Sequence, residues 1–129
     1  MTEVNALLRI SKAERALASA RVLLSVDDTD GACNRAYYAM FVLAHAALLH
    51  FHGPDVSRPK THNGLIAIFG QLLVNTGFLA PEHGRALNQV EHLRLMADYI
   101  DEPVSRENAQ WAIDKAECLL AEVKACIGQ

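Results

Sequence analysis

Glu91, Arg94 and Asp98 stand three and four residues apart, which places them on one side of a helix and lets the guanidinium reach either carboxylate. Turned into a cleft, an arginine held in this way is a permanently charged, bidentate binder of phosphate, with Asp98 to orient it and Tyr99 to add a hydroxyl. Turned to water, the same residues form a surface ion pair of little consequence. A second set, Arg85, Asn88, His92 and Tyr99, shares the face opposite the apolar stripe of that segment, where solvent or a second subunit would meet it. A third lies upstream. At ~100° per residue, Asn34, Arg35, Tyr38, His45 and His52 gather on one side of a long helical pattern, interrupted by Val42 and Leu49. They either build a site or run along an edge to water. His62, beside Lys60 and Thr61, could serve proton transfer or help cap a helix, and His83 has no partner at matching spacing. A metal would want paired ligands at i, i+3 or i+4, and Glu82 with Arg85, for example, fails by chemistry, so neither a metal nor another cofactor is expected.

These side chains must be positioned by helices. The stretch from Gly31 to Gly53 is the longest and most apolar helical pattern; between Ala36 and Ala44 its only polar side-chain atoms are the hydroxyls of Tyr37 and Tyr38. A helix apolar nearly all round has to be covered on several sides. Before it, Ala6, Ile10, Ala13, Leu17, Ala20 and Leu24 step by four and three, predicting a helix over Val4 to Ser25. Arg9, Lys12 and Arg15 lie off that stripe and read as a solvated face rather than a phosphate track. Asp27 to Gly31 break the pattern, and the acidic residues suit the start of the next helix. Gly53, Pro54 and Pro59 predict a loop, followed by a helix from Thr61 to Thr76 that Gly64 and Gly70 weaken, or where they mark close packing, with Gly77 terminating it. Pro81 suits the first turn of a fourth helix, whose stripe is Ala86, Val90, Leu93, Ala97 and Ile100. Pro103 ends it, and Ser105 caps a fifth helix carrying Ala109, Ile113, Ala116, Leu120, Val123 and Ile127 inward.

The chain of 129 residues fits one all-α domain, 1–129, an up-and-down bundle of four main helices plus a shorter one. Hydrophobic residues make up 51% and aromatics only 6%, which favours helix over sheet. The net charge of −3, with no block of Lys and Arg, argues against a broad footprint for duplex nucleic acid. Cys33, Cys118 and Cys126 fall inside helical patterns without zinc or disulfide spacing and read as packed, reduced thiols. No secretory h-region or stretch of ~20 apolar residues occurs, so a cytoplasmic protein without membrane contact is expected. Gly-rich phosphate loops, HExxH, EF-hand and GxSxG motifs are absent from the sequence. The apolar central helix, with only three main neighbours to cover it, predicts a homodimer.

The blocks NRAYYAMFVLAHAALL, KTHNGLIAIFGQLLVNTGFL and LRLMADY, in that order, resemble the HEPN domain superfamily, specifically its small single-domain bacterial and archaeal branch. The likeness spans nearly the whole chain. It implies a bundle of four main helices plus shorter pieces, usually dimeric, and often encoded beside a minimal nucleotidyltransferase in toxin–antitoxin or related defence systems. Many members are metal-independent ribonucleases whose signature is an Arg followed a turn or two later by a His, on the helix matching the fourth one here. Arg94 occupies the place of that Arg, but Tyr99 stands about where the His belongs. The one literal match to the spacing, Arg85 to His92, lies upstream. A free tyrosine, with a pKa near 10, is a poor base for a ribose 2′-hydroxyl. The resemblance therefore implies a toxin- or defence-type partner of a nucleotidyltransferase, acting as or derived from a ribonuclease, with Arg94, Asp98, Tyr99 and His92 as its catalytic candidates. Alternatives are a noncatalytic module binding RNA or nucleotide through Arg35, Tyr38, Arg85 and Arg94, and a structural dimerisation domain.

Overall fold

A computed structural model describes residues 2–56 and 59–128. The described residues form five α-helices: α1 Thr2–Ser25, α2 Thr29–His52, α3 His62–Ile68, α4 Pro81–Ile100 and α5 Arg106–Cys126. No strand occurs among the described residues. α1 and α2 pack along most of their length, α5 lies against both, and α4 crosses onto α2 and α5 with α3 tucked beside it. Ion pairs between α1 and α5 report their relative direction. Arg21 meets Glu117 at 2.6 Å and Glu14 meets Lys124 at 2.9 Å, so α1 and α5 run antiparallel. The four long helices thus form the up-and-down bundle that their periodicity predicts, with α3 as the shorter piece.

Alanine makes the close approach possible. Ala32, Ala36, Ala39, Ala44, Ala46 and Ala47 of α2 are all fully buried, opposite Ala6, Ala13 and Ala20 of α1 and Ala109, Ala112 and Ala116 of α5. Small side chains shorten the distance between helix axes, and Leu17, Met40, Leu43, Leu48, Ile113 and Leu119 fill the space between. This covers most of α2 within the chain itself, while Tyr38, Phe41 and His45 keep partial exposure on its remaining side. Exposed apolar side chains also gather on the last turns of α4, at Leu95, Met96, Tyr99 and Ile100.

The joints follow local chemistry. Asp27 takes a left-handed conformation (φ 65°), and Asp28 caps α2 by accepting from the Gly31 N–H at 2.9 Å. A Cβ on Gly31 would stand 2.5 Å from the Asp28 carboxylate, so only glycine leaves room for that cap. Arg106 closes the corner, donating to the Leu24 carbonyl at 3.0 Å and the Asp27 carboxylate at 2.6 Å. Ser105 caps α5 through the Asn108 N–H at 3.0 Å.

One segment departs from its regular pattern. The helix expected over Thr61 to Thr76 is α-helical only to Ile68, then widens to a π-helical turn over Phe69–Val74. Gly70 lies inside that turn, and a Cβ there would meet nothing within 4 Å; it marks the widening rather than a tight contact. The Leu72 carbonyl in this turn accepts from His52 Nε2 at 2.7 Å and from the Thr76 hydroxyl at 2.7 Å, so His52 anchors the π turn to α2. Of the cysteines, Cys33 is buried and Cys126 partly so, but Cys118 is exposed, correcting the expectation that all three are packed.

Candidate functional site

Arg94 leans from α4 across the face of α2. Its Nε donates to Asn34 Oδ1 at 2.7 Å, Nη1 donates to the Glu91 carboxylate, and the guanidinium carbon lies 4.6 Å from the centroid of the Tyr37 ring. Three restraints fix a side chain that would otherwise be mobile. Its side chain keeps 31% exposure, and among the described residues Asn34 and Glu91 are the acceptors of the guanidinium's hydrogen bonds. Glu91 is more deeply set, at 16%.

Tyr37 carries the network onward. Its hydroxyl lies 2.6 Å from His62 Nδ1, and His62 Nε2 lies 2.8 Å from Asn88 Oδ1. A carbonyl oxygen only accepts, so Nε2 bears the hydrogen and donates to Asn88, leaving Nδ1 of the neutral ring to accept from the Tyr37 O–H. Burial, followed by the Glu91 carboxylate, pushes the Tyr37 phenol well above the ordinary tyrosine range, and Arg94 offsets this only in part. The phenol therefore stays protonated and acts as a donor. Cys33, beside this network, is pushed up to about 11, chiefly by burial and against the pull of Arg94. The result is a polar line Asn34–Arg94–Tyr37–His62–Asn88 along the seam of α2, α3 and α4, with a partly exposed cation towards one end and an imidazole towards the other.

The residues singled out from the sequence divide between this site and other faces. Arg94 is at the centre. Asp98 borders a shallow recess with Asp30, Asn34 and Arg94, yet makes no ion pair with Arg94; Glu91 and Asn34 orient the guanidinium instead. Tyr99 points away, 82% exposed. His92 lines a groove between α4 and α5 with Gln89, Leu93, Glu107, Asn108 and Trp111, while Arg85 is exposed and 3.9 Å from Glu82. Arg35 lies over the Tyr38 ring at 4.5 Å on a neighbouring face of α2. His45 Nε2 lies 2.9 Å from the Pro59 carbonyl. His83, given no role from sequence, is buried and meets Glu122 at 2.5 Å, tying α4 to α5. Sequence reasoning left out Tyr37 and set Asn88 on the solvent side. The available signal was the three-residue step Asn88, Glu91, Arg94, which places all three near one stripe of α4.

Among the described residues no group of three His, Cys, Asp or Glu side chains could hold a metal ion, and no helix is long and apolar enough to cross a membrane. The comparisons with known proteins agree with the fold. A "Putative toxin" of Methanocaldococcus jannaschii is 34% identical over 97% of this chain and 89% of its own length. A second "Putative toxin" of that organism is 29% identical over 89% of this chain and 76% of its own length. A UPF0332 protein of Archaeoglobus fulgidus is 32% identical over 95% of this chain and 94% of its own length. The HEPN domain family model matches residues 6–126, nearly the full extent of the bundle and all of the network described above. By that match the chain belongs to the HEPN family, and it is similar to members named as toxins.

Proposed function

We propose that this HEPN protein acts on RNA as a metal-independent ribonuclease of the toxin type, with Arg94 as its phosphate-binding residue and His62 taking the part of the missing signature histidine. One observation carries the reading: Arg94 and His62 flank the same tyrosine, the guanidinium carbon 4.6 Å and the imidazole centroid 5.7 Å from the ring centroid of Tyr37. A cation for the phosphate and an imidazole for the proton are the two groups that phosphodiester transfer to a neighbouring 2′-hydroxyl needs. In the proposed step the 2′-oxygen attacks phosphorus as its proton passes to the Tyr37 oxygen, whose own proton moves to His62 Nδ1. The 5′-oxygen leaves from the opposite side of phosphorus and takes its proton from water, and the imidazolium afterwards returns its proton to solvent through the Tyr37 hydroxyl. The products are a 2′,3′-cyclic phosphate and a 5′-hydroxyl, and Nη2 of Arg94 faces the charge developing on the phosphate. Asp98, beside Arg94, lines the approach; Arg35, Tyr38, Arg85, His92 and Tyr99 are outside this constellation.

A second reading, binding of RNA or nucleotide without cleavage, draws on the saturation of the network: the Tyr37 hydroxyl and both His62 nitrogens already have protein partners. Incubating the protein with short RNA in the presence of a chelator separates the two. Cleavage that disappears in Arg94→Ala and His62→Ala supports the ribonuclease, whereas binding without products supports the second reading.

The names of the similar proteins support a place in a toxin–antitoxin pair. We take the neutralising partner to be a nucleotidyltransferase, as is frequent in this superfamily. Expression of the chain alone should slow growth, and co-expression of a nucleotidyltransferase encoded beside it should restore growth; no neutralisation by such a protein would remove this partner. A cytoplasmic homodimer completes the proposal, built on Leu95, Met96, Tyr99 and Ile100 rather than on α2. Sedimentation showing only monomer at micromolar concentration would remove that part.

A further inference from the structure

A groove of about 540 Å³ runs between α1 and α2, lined by Arg9, Lys12, Arg15, Tyr38, Phe41 and His45 among others. No carboxylate of the described residues lines it, although the chain as a whole carries a net charge of −3. Arg15 donates to the Ser11 hydroxyl at 3.2 Å, and Arg35 adds a fourth cation 4.5 Å from the Tyr38 centroid. Cations concentrated on one face of an acidic protein make a local positive field, and aromatic rings among them offer surfaces for stacking. The groove also connects to the site already described. Phe41, on its wall, has its ring 4.8 Å from that of His45 and 6.0 Å from that of Tyr37, whose other neighbours are Arg94 and His62. Through the buried Tyr37, ring contacts therefore join the wall of the basic groove to the guanidinium of Arg94.

We infer that this groove is a track for single-stranded RNA, with Lys12 and Arg15 on backbone phosphates and Tyr38 and Phe41 under the bases, leading the strand to Arg94 and His62. The inference rests on the RNA-directed reading above and adds to it a binding surface on a separate helix. A short row of cations with aromatic rings among them suits one strand and explains why a protein without a broad basic face would handle RNA.

The test measures binding of a short fluorescent 2′-O-methyl oligouridine, which lacks the attacking hydroxyl, by anisotropy across a salt series, with cleavage of the matching ribo-oligonucleotide followed in parallel. Lys12→Ala/Arg15→Ala should weaken binding about tenfold at low salt and flatten the log–log salt slope by about 1.4, the share of two single-strand phosphate contacts. Lys12→Arg/Arg15→Lys should keep the wild-type affinity, as should Lys115→Ala, which removes a charge from α5 instead. Circular dichroism of each variant excludes unfolding as the cause. Equal affinity and slope in wild type and Lys12→Ala/Arg15→Ala overturns the track, and if Arg94→Ala still abolishes cleavage in that case the ribonuclease reading stands without it. A wild-type protein that neither binds nor cleaves overturns both. A Lys12→Ala/Arg15→Ala variant that binds RNA normally but no longer binds its antitoxin assigns the groove to an acidic protein surface and also overturns the track.

Discussion

Replacing Arg94 by Ala should unsettle the seam of α2, α3 and α4 in a way that can be measured apart from activity. The change leaves the Glu91 carboxylate, only 16% exposed, without its cation, removes the donor to Asn34, and strips the Tyr37 ring of its overlying charge. A hydrogen bond to a charged group contributes about 1.5–3 kcal/mol. Arg94 is itself close to one-third exposed, so solvent screening moves the expected loss to the lower part of that range, about 2 kcal/mol. For a domain of this size that corresponds to a drop in Tm of roughly 6–10 °C. Glu91→Gln should cost about 1 kcal/mol, because the amide oxygen still accepts from the guanidinium. Since both changes act on the same pair, the double variant should lose about 1 kcal/mol less than the sum of the two. Urea unfolding followed at 222 nm, with an unchanged m-value, reads all three. Stabilities that fall by less than about 0.5 kcal/mol and add without coupling would mean that the pair is an ordinary surface contact, and the argument for a fixed, preorganised guanidinium would fail.

Other consequences are simpler to state. Cys33 and Tyr37 both hold their protons more tightly folded than unfolded, so the stability they contribute is present below the unfolded pKa and is lost as pH rises towards the folded one. For Cys33 that window runs from the ordinary thiol value of 9.0 up to about 11, and alkaline denaturation curves should show a loss of roughly 2–3 kcal/mol that is smaller in Cys33→Ala; equal slopes in the two proteins would contradict this. Gly31→Ala should cost about 1–2 kcal/mol, because its Cβ would displace the Asp28 cap, and a Tm equal to wild type would show that the cap does not matter. Cys118→Ser, on an exposed side chain, should change neither stability nor activity beyond about 0.5 kcal/mol. Tyr99→Ser/Ile100→Ser should shift sedimentation towards monomer without unfolding the bundle; an unchanged dimer would place the interface elsewhere.

The bundle was legible because helix periodicity is a local property. Ala6 through Leu24 announce their buried face from spacing alone, whereas the stripe of α4 is buried only at Ala86 and Val90, leaving Ile100 exposed, and in α5 Leu119 is fully buried where the spacing predicts Leu120; Asp28, Ser105, Pro81 and Gly77 mark ends by their own side-chain or backbone chemistry. The π turn was not legible, since Gly70 signals weakness in a helix without saying which way the backbone relaxes. The site was half legible. Arg94 stood out by charge and spacing, but the choice between the adjoining pairs Asn34/Tyr37 and Arg35/Tyr38 depends on where α4 packs around α2. No periodicity within α2 contains that information. His62 reaches Tyr37 across 25 residues and a proline-bearing loop, and Asn88 faces solvent on α4 considered alone but faces His62 once α3 is in place. Arg9, Lys12 and Arg15 likewise read as a solvated face until Tyr38 and Phe41 supply the opposite wall.

The most direct measurement is the rate at which the purified protein cleaves short RNA in the presence of a chelator, compared between wild type, Arg94→Ala, Arg94→Lys and His62→Ala. Wild type should yield 2′,3′-cyclic phosphate ends. Arg94→Ala should lose about 2–3 kcal/mol of transition-state stabilisation, roughly a hundredfold in kcat/KM, with only partial recovery in Arg94→Lys because an ammonium lacks the planar fork. His62→Ala should lose a similar factor, on the order of 10²–10⁴, if the imidazole moves the proton. RNA left intact by the wild type, or cut equally well by Arg94→Ala and His62→Ala, would contradict the account.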